Sequence, residues 1–284
     1  MAKLIIIGNG FDIHHNLETS YSDFKCWLCK KYSKDFTKIL YYSENNFLLE
    51  KLEGNWSNIE NALSLNYDAI PDEDVLKVSN AFVVGFKNRF NEWIYSVDKE
   101  IKKIDNNNKI SFITNDNYYI SFNYTRFLEK GYGISHGNIA YFHNMVYDDK
   151  EDLIGLGDMI NHIVFGNKNN KLYFDNDTIQ ENFNRFFEKD TKSIFNNQYQ
   201  RFLLKIKKEI DEIIVLGHSM DCENGDMDYF RKIVEVFPNI DWKISYYSIR
   251  DKNHKACVVD CLKEKSNANI HLIQFKEMIK NEKG

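Results

Sequence analysis

An alternation of short apolar runs with longer amphipathic segments constrains this chain more than any other feature. The apolar runs are rich in isoleucine, valine and aromatic residues and have few polar interruptions, as strands that are buried on both faces do. The amphipathic segments carry apolar residues at helical spacing. Because strands and helices alternate along the chain, the pattern predicts an α/β fold in which helices cover a parallel sheet.

The predicted elements extend over most of the sequence. Strands are predicted at residues 3–7, 118–122, 139–142, 162–165, 212–216, 242–247 and 269–274. Helices are predicted at residues 22–40, 56–65, 73–104, 125–131, 179–208, 228–236 and 254–264. The two longest helical blocks carry aromatic residues on recurrent faces, which is more typical of core packing than of a cofactor site. Since no proline-rich or serine-rich linker interrupts the chain, we predict one domain over residues 1–284, with helical insertions around residues 22–104 and 179–208.

The charge and the cysteine content exclude several classes of protein. The chain has 37 basic and 42 acidic residues, a net charge of -5, and no basic stripe of the kind that binds duplex nucleic acid. Its 5 cysteines are odd in number and widely spaced, which favours core thiols in a reducing compartment over a disulfide framework or a metal site. The first residues lack a signal-peptide pattern, and no apolar run approaches the roughly 20 residues that cross a bilayer. We therefore expect a cytoplasmic protein without membrane contact or bound metal.

A glycine-containing turn follows the first predicted strand. It consists of Gly8, Asn9, Gly10, Phe11 and Asp12, and a helical region is predicted to begin only after Thr19. Glycines in such a turn let the backbone approach a phosphate closely. The same residues are equally compatible with a tight turn that binds nothing. A dinucleotide fingerprint has a third small residue where this chain has Ile13, so a hydride-transferring dehydrogenase is disfavoured.

Polar residues follow two further predicted strands. Asn123, Tyr124 and Thr125 end one strand, and His143 ends the next. Open α/β sheets bind ligands at the carboxyl ends of their strands, so Asn123 and His143 are expected to meet in one cleft. There Asn123 would orient a water or a ribose hydroxyl, and His143 would move a proton. Capping of a following helix is the alternative role of Asn123, and His136 is the alternative to His143.

A later strand also runs into a polar turn, at Gly217, His218 and Ser219, with Asp226 downstream. The turn superficially resembles the nucleophile elbow of serine hydrolases. The elbow requires a small residue two positions after the serine, where this chain has Asp221. Substrate binding by His218, Ser219 and Asp226 is therefore favoured over attack by Ser219.

Taken in order, these motifs and others resemble those of the AbiH family. They are residues 4–12, residues 19–24, Trp56 with Ile59 and Glu60, residues 121–125, and residues 217–219 with Asp226, Tyr229 and Phe230. Together they span most of the chain and are more specific than any one motif. The resemblance implies a bacterial protein of abortive infection, a response in which a bacterium shuts down when a phage enters.

The AbiH-type motifs are in turn similar to those of sirtuin-like domains, which have a Rossmann-like fold and bind or hydrolyse NAD. This second resemblance implies that Asn123 is the catalytic asparagine and His143 the catalytic histidine. It places Gly8, Gly10 and Ser219 around the nucleotide. Two positions depart from the sirtuin-like pattern: Asn144 stands where a glycine follows the histidine, and Thr125 stands where an aspartate is expected.

Two functions are left open by these arguments, and NAD hydrolysis ranks first. In that function the protein releases nicotinamide and ADP-ribose, and the loss of NAD arrests the infected cell. In the alternative function the pocket senses a nucleotide such as ADP-ribose without turning it over. A helical surface then engages a partner, either a second copy of the chain or another protein of the defence system. A serine hydrolase that uses Ser219 ranks last.

Overall fold

A computed structural model of the chain describes residues 2–32, 88–104, 109–143, 191, 195–220 and 226–281. Within these ranges one sheet is formed by the strands β1 (Ala2–Ile7), β2 (Tyr118–Ser121), β3 (Ile139–Tyr141), β4 (Ile210–Leu216), β5 (Asp241–Tyr246) and β6 (Ile270–Gln274). The strands lie in the order β3-β2-β1-β4-β5-β6, and every neighbouring pair is parallel. This is the strand order of the Rossmann fold, so the predicted α/β class with a Rossmann-like parallel sheet is confirmed.

The register brings the carboxyl ends of the central strands to one level. Ile7 of β1 pairs with Ser121 of β2 and with Leu216 of β4, and Ser121 pairs with Tyr141 of β3. The residues that follow these four positions therefore emerge along one border of the sheet, the carboxyl edge. All predicted strands within the described ranges are confirmed, with ends shifted by one or two residues. The strand predicted at residues 162–165 lies outside the described residues.

Helical segments connect and flank the strands. The described α-helices are α1 (Asn9–His14), α2 (Tyr21–Tyr32), α3 (Asn88–Glu100), α4 (Gln200–Ile206), α5 (Asp226–Val236), α6 (Ile249–Lys263) and α7 (Phe275–Asn281). Short turns of π-helical or 3-10-helical type lie at Leu128–Tyr132, His136–Asn138 and Phe195–Tyr199. The helices predicted at residues 22–40, 73–104 and 179–208 are confirmed in their described parts by α2, α3 and α4. Those predicted at residues 228–236 and 254–264 correspond to α5 and α6, which begin two and five residues earlier than predicted. The helix predicted at residues 56–65 lies outside the described residues.

One helix was not predicted, and another begins later than predicted. A helix already begins at Asn9, because the extended backbone of Gly8 turns the chain and its carbonyl accepts a hydrogen bond from the amide of Phe11 at 2.9 Å. The helix predicted at residues 125–131 starts later, as the π-helical turn at Leu128–Tyr132. The segment before it is held by side-chain hydrogen bonds, such as that from the amide of Arg126 to Asp98, and these compete with helix formation.

Both faces of the sheet are buried, as the continuous apolar character of the strands predicts. Leu4 and Ile6 of β1 face a core to which helices α4, α5 and α6 contribute. The helical residues of this core include Leu203, Ile206, Met227, Phe230, Ile233, Val258 and Leu262. Successive side chains of a strand point to opposite faces, and Ile5 and Ile7 on the other face are just as buried. The carboxyl edge is therefore carried by a sheet with a rigid interior.

The chain divides into two compact units. The first comprises Met1–Leu17, Asp98–Met145 and Thr191–Gly284 and contains the sheet. The second comprises Glu18–Val97 and Val146–Asp190. In its described part, the ring of Phe24 packs against Phe90 and Trp93 at centroid distances of 5.3 and 5.1 Å. The burial of Phe90 and Trp93 confirms the core interpretation of the helical aromatics at these two positions. The other aromatics to which it applied, Phe82, Phe86, Phe183, Phe186 and Phe187, lie outside the described residues. The single domain with helical insertions stays a prediction.

Three observations on the described residues concern thiols, membranes and metals. Cys26, Cys29 and Cys257 are exposed and Cys261 is half-buried, all as free thiols. The expectation of core cysteines was therefore wrong for Cys26, Cys29 and Cys257, because α2 and α6 turn these three positions towards solvent. Cys261 packs against the core. No described helix is long and apolar enough to cross a membrane. Among the described residues there is also no group of three or more side chains arranged to hold a metal ion.

Candidate functional site

The turns that follow β1 and β4 pack backbone against backbone at the carboxyl edge. The amide of Gly10 donates to the carbonyl of Gly217 at 2.8 Å. A Cβ atom added to Gly8 would lie 2.5 Å from Cα of His218, which is closer than such atoms approach. Gly217 has a φ of 64°, and a Cβ atom there would lie 2.4 Å from the amide nitrogen of Phe11. The two turns can meet only because both are built from glycine.

These backbone contacts bear on phosphate binding at the glycine turn. The amide of Gly8 donates to the carbonyl of Leu216 at 3.0 Å, and the amide of Gly10 is held by Gly217. Helix α1 behind the turn has only 6 residues. Two of the amides that would receive a phosphate are therefore engaged within the fold, which favours the tight-turn interpretation of the glycines. Phosphate binding by residues 8–12 stays a prediction.

Asp12 of α1 is fully buried and binds two side chains that follow β2. Its Oδ1 accepts a hydrogen bond from Nδ2 of Asn123 at 2.7 Å, and its Oδ2 accepts one from the hydroxyl of Thr125 at 2.6 Å. Burial raises the pKa of Asp12 to about 7, against the lowering effect of these two hydrogen bonds and with a further rise from the charge of Asp98. Asp12 was predicted as a nucleotide contact, and its carboxyl group lies inside the protein, where it ties α1 to the loop after β2.

The amide nitrogen of Asn123 has a hydrogen-bond partner, whereas its amide oxygen has none among the described residues. Its Nδ2 is held by Asp12, whereas its Oδ1 is buried and receives no hydrogen bond from any described residue. A buried acceptor without a donor costs about 1–3 kcal/mol, so Oδ1 is the atom of this cluster that would contact a bound water or a ligand hydroxyl. The helix-capping interpretation of Asn123 was wrong, because its side chain faces Asp12 and the next helical turn begins only at Leu128.

Asp98 anchors the loop that carries Asn123. Its carboxylate accepts hydrogen bonds from the backbone amide of Arg126 at 2.7 Å and from Nε and Nη2 of the same residue at 3.1 and 2.9 Å. Nζ of Lys130 adds an ion pair at 2.5 Å. Asp98 is only 1% exposed, and a buried carboxylate is tolerated when cations and amides satisfy it in this way. Asp98 could not be recognised from the sequence, because nothing distinguishes a buried carboxylate in an amphipathic helix from a solvated one.

Asp226, the first residue of α5, lies between two buried histidines. Its Oδ1 is 3.1 Å from Nε2 of His143, and its Oδ2 is 3.6 Å from Nε2 of His218. Nδ1 of His218 accepts a hydrogen bond from the amide of Met220 at 2.9 Å. In a neutral His218 the proton therefore lies on Nε2, facing Asp226. When His143 likewise donates from Nε2, its Nδ1 is the atom that can accept a proton.

An aromatic wall surrounds this group. The ring of Phe122, which follows β2, lies 4.4 Å from the ring of His218 and 5.1 Å from that of His143, measured between centroids. Phe122 also stacks on Phe230 at 5.5 Å. The ring of Tyr124 lies 5.7 Å from His143. Apolar surroundings keep water from competing for the imidazole and carboxylate groups, which strengthens their interaction.

The structure thus gathers most of the predicted residues into two clusters, one around Asp12 and one around Asp226. Asn123 and His143 follow the neighbouring strands β2 and β3, yet each binds a different aspartate. Phe122 joins the clusters, since it precedes Asn123 in the chain and contacts both histidines. A common cleft for Asn123 and His143 stays a prediction. Asn144 lies outside the described residues.

Other predicted residues lie apart from these clusters. His136 precedes β3, at the opposite end of that strand, and its exposed ring pairs with Glu129 at 3.1 Å. Ser219 is exposed, and both ring nitrogens of His218 already face Asp226 or Met220. Activation of Ser219 by this histidine would require those contacts to break. Among the glycine-turn residues, Asn9 is exposed and Phe11 is buried.

A Rossmann-type strand order with buried polar side chains at the carboxyl edge defines this chain as an α/β protein of the class that places its site at that edge. Its family follows from comparison with known proteins. The chain matches the family model described as "Bacteriophage abortive infection AbiH" over residues 4–80 and 72–246. Since these ranges cover well over half of its 284 residues, the chain belongs to the AbiH family, and its role is in phage abortive infection. No curated protein and no solved structure matches it.

Proposed function

We propose that this AbiH protein binds NAD at the carboxyl edge of its sheet and hydrolyses it to nicotinamide and ADP-ribose. The observation that carries the proposal is the buried Oδ1 atom of Asn123, to which no described residue donates a hydrogen bond. Asn123 follows β2, at the edge where sheets of this order bind dinucleotides. A ribose hydroxyl or a water at this atom would remove the cost of leaving it unsatisfied.

The reaction consumes one water. The water oxygen bonds to C1′ of the nicotinamide ribose while the bond from C1′ to the pyridinium nitrogen breaks, and the electron pair of that bond leaves with nicotinamide. Asn123 holds the water or the ribose hydroxyl through Oδ1, and its amide group is kept in place by Asp12. His143 takes the proton of the water at Nδ1, because its Nε2 faces Asp226. The products are nicotinamide, ADP-ribose and a proton.

Hydrolysis of NAD would account for a role in abortive infection. A cell that loses NAD cannot sustain its metabolism, so the phage cannot complete its cycle. The AbiH family supports the defence role, and the likeness of its motifs to those of sirtuin-like domains supports NAD as the substrate.

A second candidate function is nucleotide sensing without turnover. It is favoured by the burial of the polar groups, since Asp12 is 0%, Asn123 4% and His143 5% exposed. In this function ADP-ribose or a related nucleotide binds and the protein then engages a second copy of the chain or another defence protein.

Nicotinamide release tests the first candidate. The purified protein is incubated with NAD, with and without extract of phage-infected cells, and nicotinamide is followed by chromatography. The variants are Asn123→Ala and His143→Asn; the latter keeps a donor for Asp226 and removes the proton acceptor. His136→Ala is the matched control, because His136 is exposed and precedes β3. Circular dichroism and thermal unfolding verify that each variant is folded.

We expect release by the wild type and by His136→Ala, with a loss of about 100-fold or more in the other two variants, the range of acid–base contributions. Unchanged release in folded Asn123→Ala and His143→Asn would overturn the roles of these residues. If the wild type binds ADP-ribose in calorimetry yet releases no nicotinamide in either condition, sensing replaces hydrolysis. Absence of both release and binding would overturn nucleotide recognition at this edge.

A further inference from the structure

Tyr247 presents an exposed aromatic ring that the protein holds in a fixed orientation at the carboxyl edge. The residue directly follows β5 and is 46% exposed. Its hydroxyl donates a hydrogen bond to the carbonyl of Gly10 at 2.8 Å. Its ring lies nearly parallel to that of Phe275, at a centroid distance of 4.7 Å and an interplanar angle of 17°. Because Phe275 covers one face, the exposed area of the ring belongs mainly to the other.

The backbone of Tyr247 and the ring of Phe275, which hold the Tyr247 ring, are themselves held by further contacts. The amide of Tyr247 donates to Oδ2 of Asp251 at 2.8 Å, and the amide of Asp251 donates to the hydroxyl of Ser248, which caps α6, at 3.2 Å. Phe275 is 1% exposed, and its ring also contacts His14 at 4.9 Å. A ring that is already immobilised loses little further freedom when a ligand covers it. Tyr247 on Phe275, called here the Tyr247 platform, is therefore preorganised for stacking.

Other exposed apolar side chains belong to segments at the same edge of the sheet. Among the described residues, the exposed large hydrophobic side chains are those of Ile13, Leu204, Tyr247 and Ile249. Ile13 lies in α1, after β1, and Tyr247 and Ile249 lie just after β5, so all but Leu204 belong to segments that leave the carboxyl edge. Isolated exposed apolar residues are common on proteins, but their concentration at the edge that carries the polar clusters points to a ligand with a flat apolar part.

We propose that Tyr247 is the stacking platform for the purine base of the nucleotide. The proposal rests on the proposed function and specifies its substrate as a dinucleotide that lies across the sheet. β5 is three strands away from β2 in the order of the sheet, a distance of roughly 14 Å at the usual strand spacing. A base on Tyr247 is therefore not the nicotinamide that leaves beside Asn123. It is the base at the other end of the dinucleotide, which is adenine in NAD.

The bond to Gly10 places the platform beside the junction of β1 and β4. Tyr247 bonds to the carbonyl of Gly10, and Gly10 bonds to Gly217 at the junction of β1 and β4. This junction is the point at which the strand order of the sheet reverses, and dinucleotides in such folds span it with one half on each side. Asn123 and His143 follow β2 and β3 on one side of the junction, and Tyr247 follows β5 on the other.

Calorimetric titration with two probes tests the platform. The probes are ADP-ribose, which has the purine, and ribose 5-phosphate, which lacks it. They are titrated into the full chain and into Tyr247→Leu, which removes the ring, and Tyr247→Phe, which keeps the ring and removes the bond to Gly10. Tyr246→Leu is the matched control, because it removes the neighbouring ring, which lies at the end of β5.

We expect Tyr247→Leu to weaken ADP-ribose binding by about 10- to 100-fold, the range of base stacking on an aromatic side chain. Tyr247→Phe and Tyr246→Leu should stay within about threefold of the wild type, and the affinity for ribose 5-phosphate should not change. An unchanged affinity of Tyr247→Leu for ADP-ribose, or an equal loss for both probes, would overturn the platform while leaving the proposed function intact. A wild type that binds neither probe would overturn both.

Discussion

The Nε2 atom of His143 lies 3.1 Å from Oδ1 of Asp226, which follows it by 83 positions in the chain. Both residues are buried, at 5% and 9% exposure. A carboxylate in this position orients the imidazole ring and determines which nitrogen carries the proton. It also stabilises the imidazolium that forms when the histidine accepts a proton. In the proposed hydrolase Asp226 is therefore a positioning residue for His143.

Asp226→Asn tests this role. The amide is similar in size to the carboxylate, but its NH2 group can donate to His143 and favour the wrong tautomer. We expect kcat for NAD hydrolysis to fall by about 100-fold or more, with a change in KM of a few-fold at most and an altered pH profile of kcat. The ¹⁵N chemical shifts of the His143 ring report the tautomer independently of activity.

Asp228→Asn is the control for that variant. Asp228 lies on the same helix, but its side chain is 34% exposed and pairs with Arg231. We expect the kcat of Asp228→Asn and its His143 tautomer to match those of the wild type. If both variants behave alike, Asp226 has no special role in orienting the imidazole.

The buried carboxyl group of Asp12 predicts a pH dependence of stability. Its pKa rises from 3.8 to about 7 in the folded protein, chiefly through burial. Between these two values the folded state holds a proton that the unfolded state has lost. The contribution of Asp12 to the free energy of unfolding is therefore fully present below about pH 4 and is lost as the pH rises towards 7, by on the order of 1 kcal/mol per pH unit.

Asp12→Asn should remove this dependence. Urea unfolding is measured for the wild type and the variant from about pH 5 to about pH 8, and the stability difference should shift in favour of the variant as the pH rises. Asp116→Asn changes an exposed carboxylate and should leave the slope of the wild type unaltered. Parallel profiles for Asp12→Asn and the wild type would contradict the raised pKa.

Thr125→Val examines the other hydrogen bond of the same cluster. Valine has nearly the shape of threonine, but it leaves Oδ2 of Asp12 without the hydroxyl donor that lies at 2.6 Å. We expect a loss of about 1–3 kcal/mol in the free energy of unfolding, the cost of an unsatisfied buried acceptor. Thr114→Val, at a half-buried position, should change stability by no more than about 0.5 kcal/mol. Equal effects would indicate that the Thr125 hydroxyl is dispensable.

Substitution of two glycines with positive φ distinguishes the cost of a steric clash from the cost of backbone strain. Gly217 has a φ of 64° and lies against the backbone of Gly10 and Phe11, whereas Gly133 has a φ of 76° and nothing within 4 Å of an added Cβ atom. Gly133→Ala should cost about 1–2 kcal/mol, through the left-handed conformation alone. Gly217→Ala should cost several kcal/mol more, because the turns after β1 and β4 must separate. Thermal unfolding compares the two, and similar losses would rule out the close approach.

The sequence by itself determined the strands and the edge that carries the polar residues. Strand formation follows from runs of β-branched and apolar residues that are local in the chain, so β1 and β4 were predicted to within two residues. The position of Asn123 and His143 at strand ends was also readable, because each stands where an apolar run stops. The family was likewise identified from ordered local motifs and is confirmed by the match over residues 4–80 and 72–246.

Only the tertiary structure decided which of these residues bind one another. Asp12 and Asn123 are 111 positions apart, and His143 and Asp226 are 83 positions apart. Their pairing depends on the order in which β3, β2, β1 and β4 lie side by side, and no local pattern encodes that order. For the same reason Asn123 was given a helix-capping alternative, although its actual partner belongs to a different helix.

The ionisation of Asp12 likewise depends partly on the sequence and partly on the tertiary structure. As a residue in a sequence it is an acid with a pKa of 3.8, and burial between α1 and the loop after β2 raises that value to about 7. Desolvation is a property of the whole assembled environment, and so are the exposed face of Tyr247 and the lack of a described donor for Oδ1 of Asn123. The sequence supplied the chemical groups and the edge on which they lie, and the packing of distant strands set their partners, their protonation and their access to a ligand.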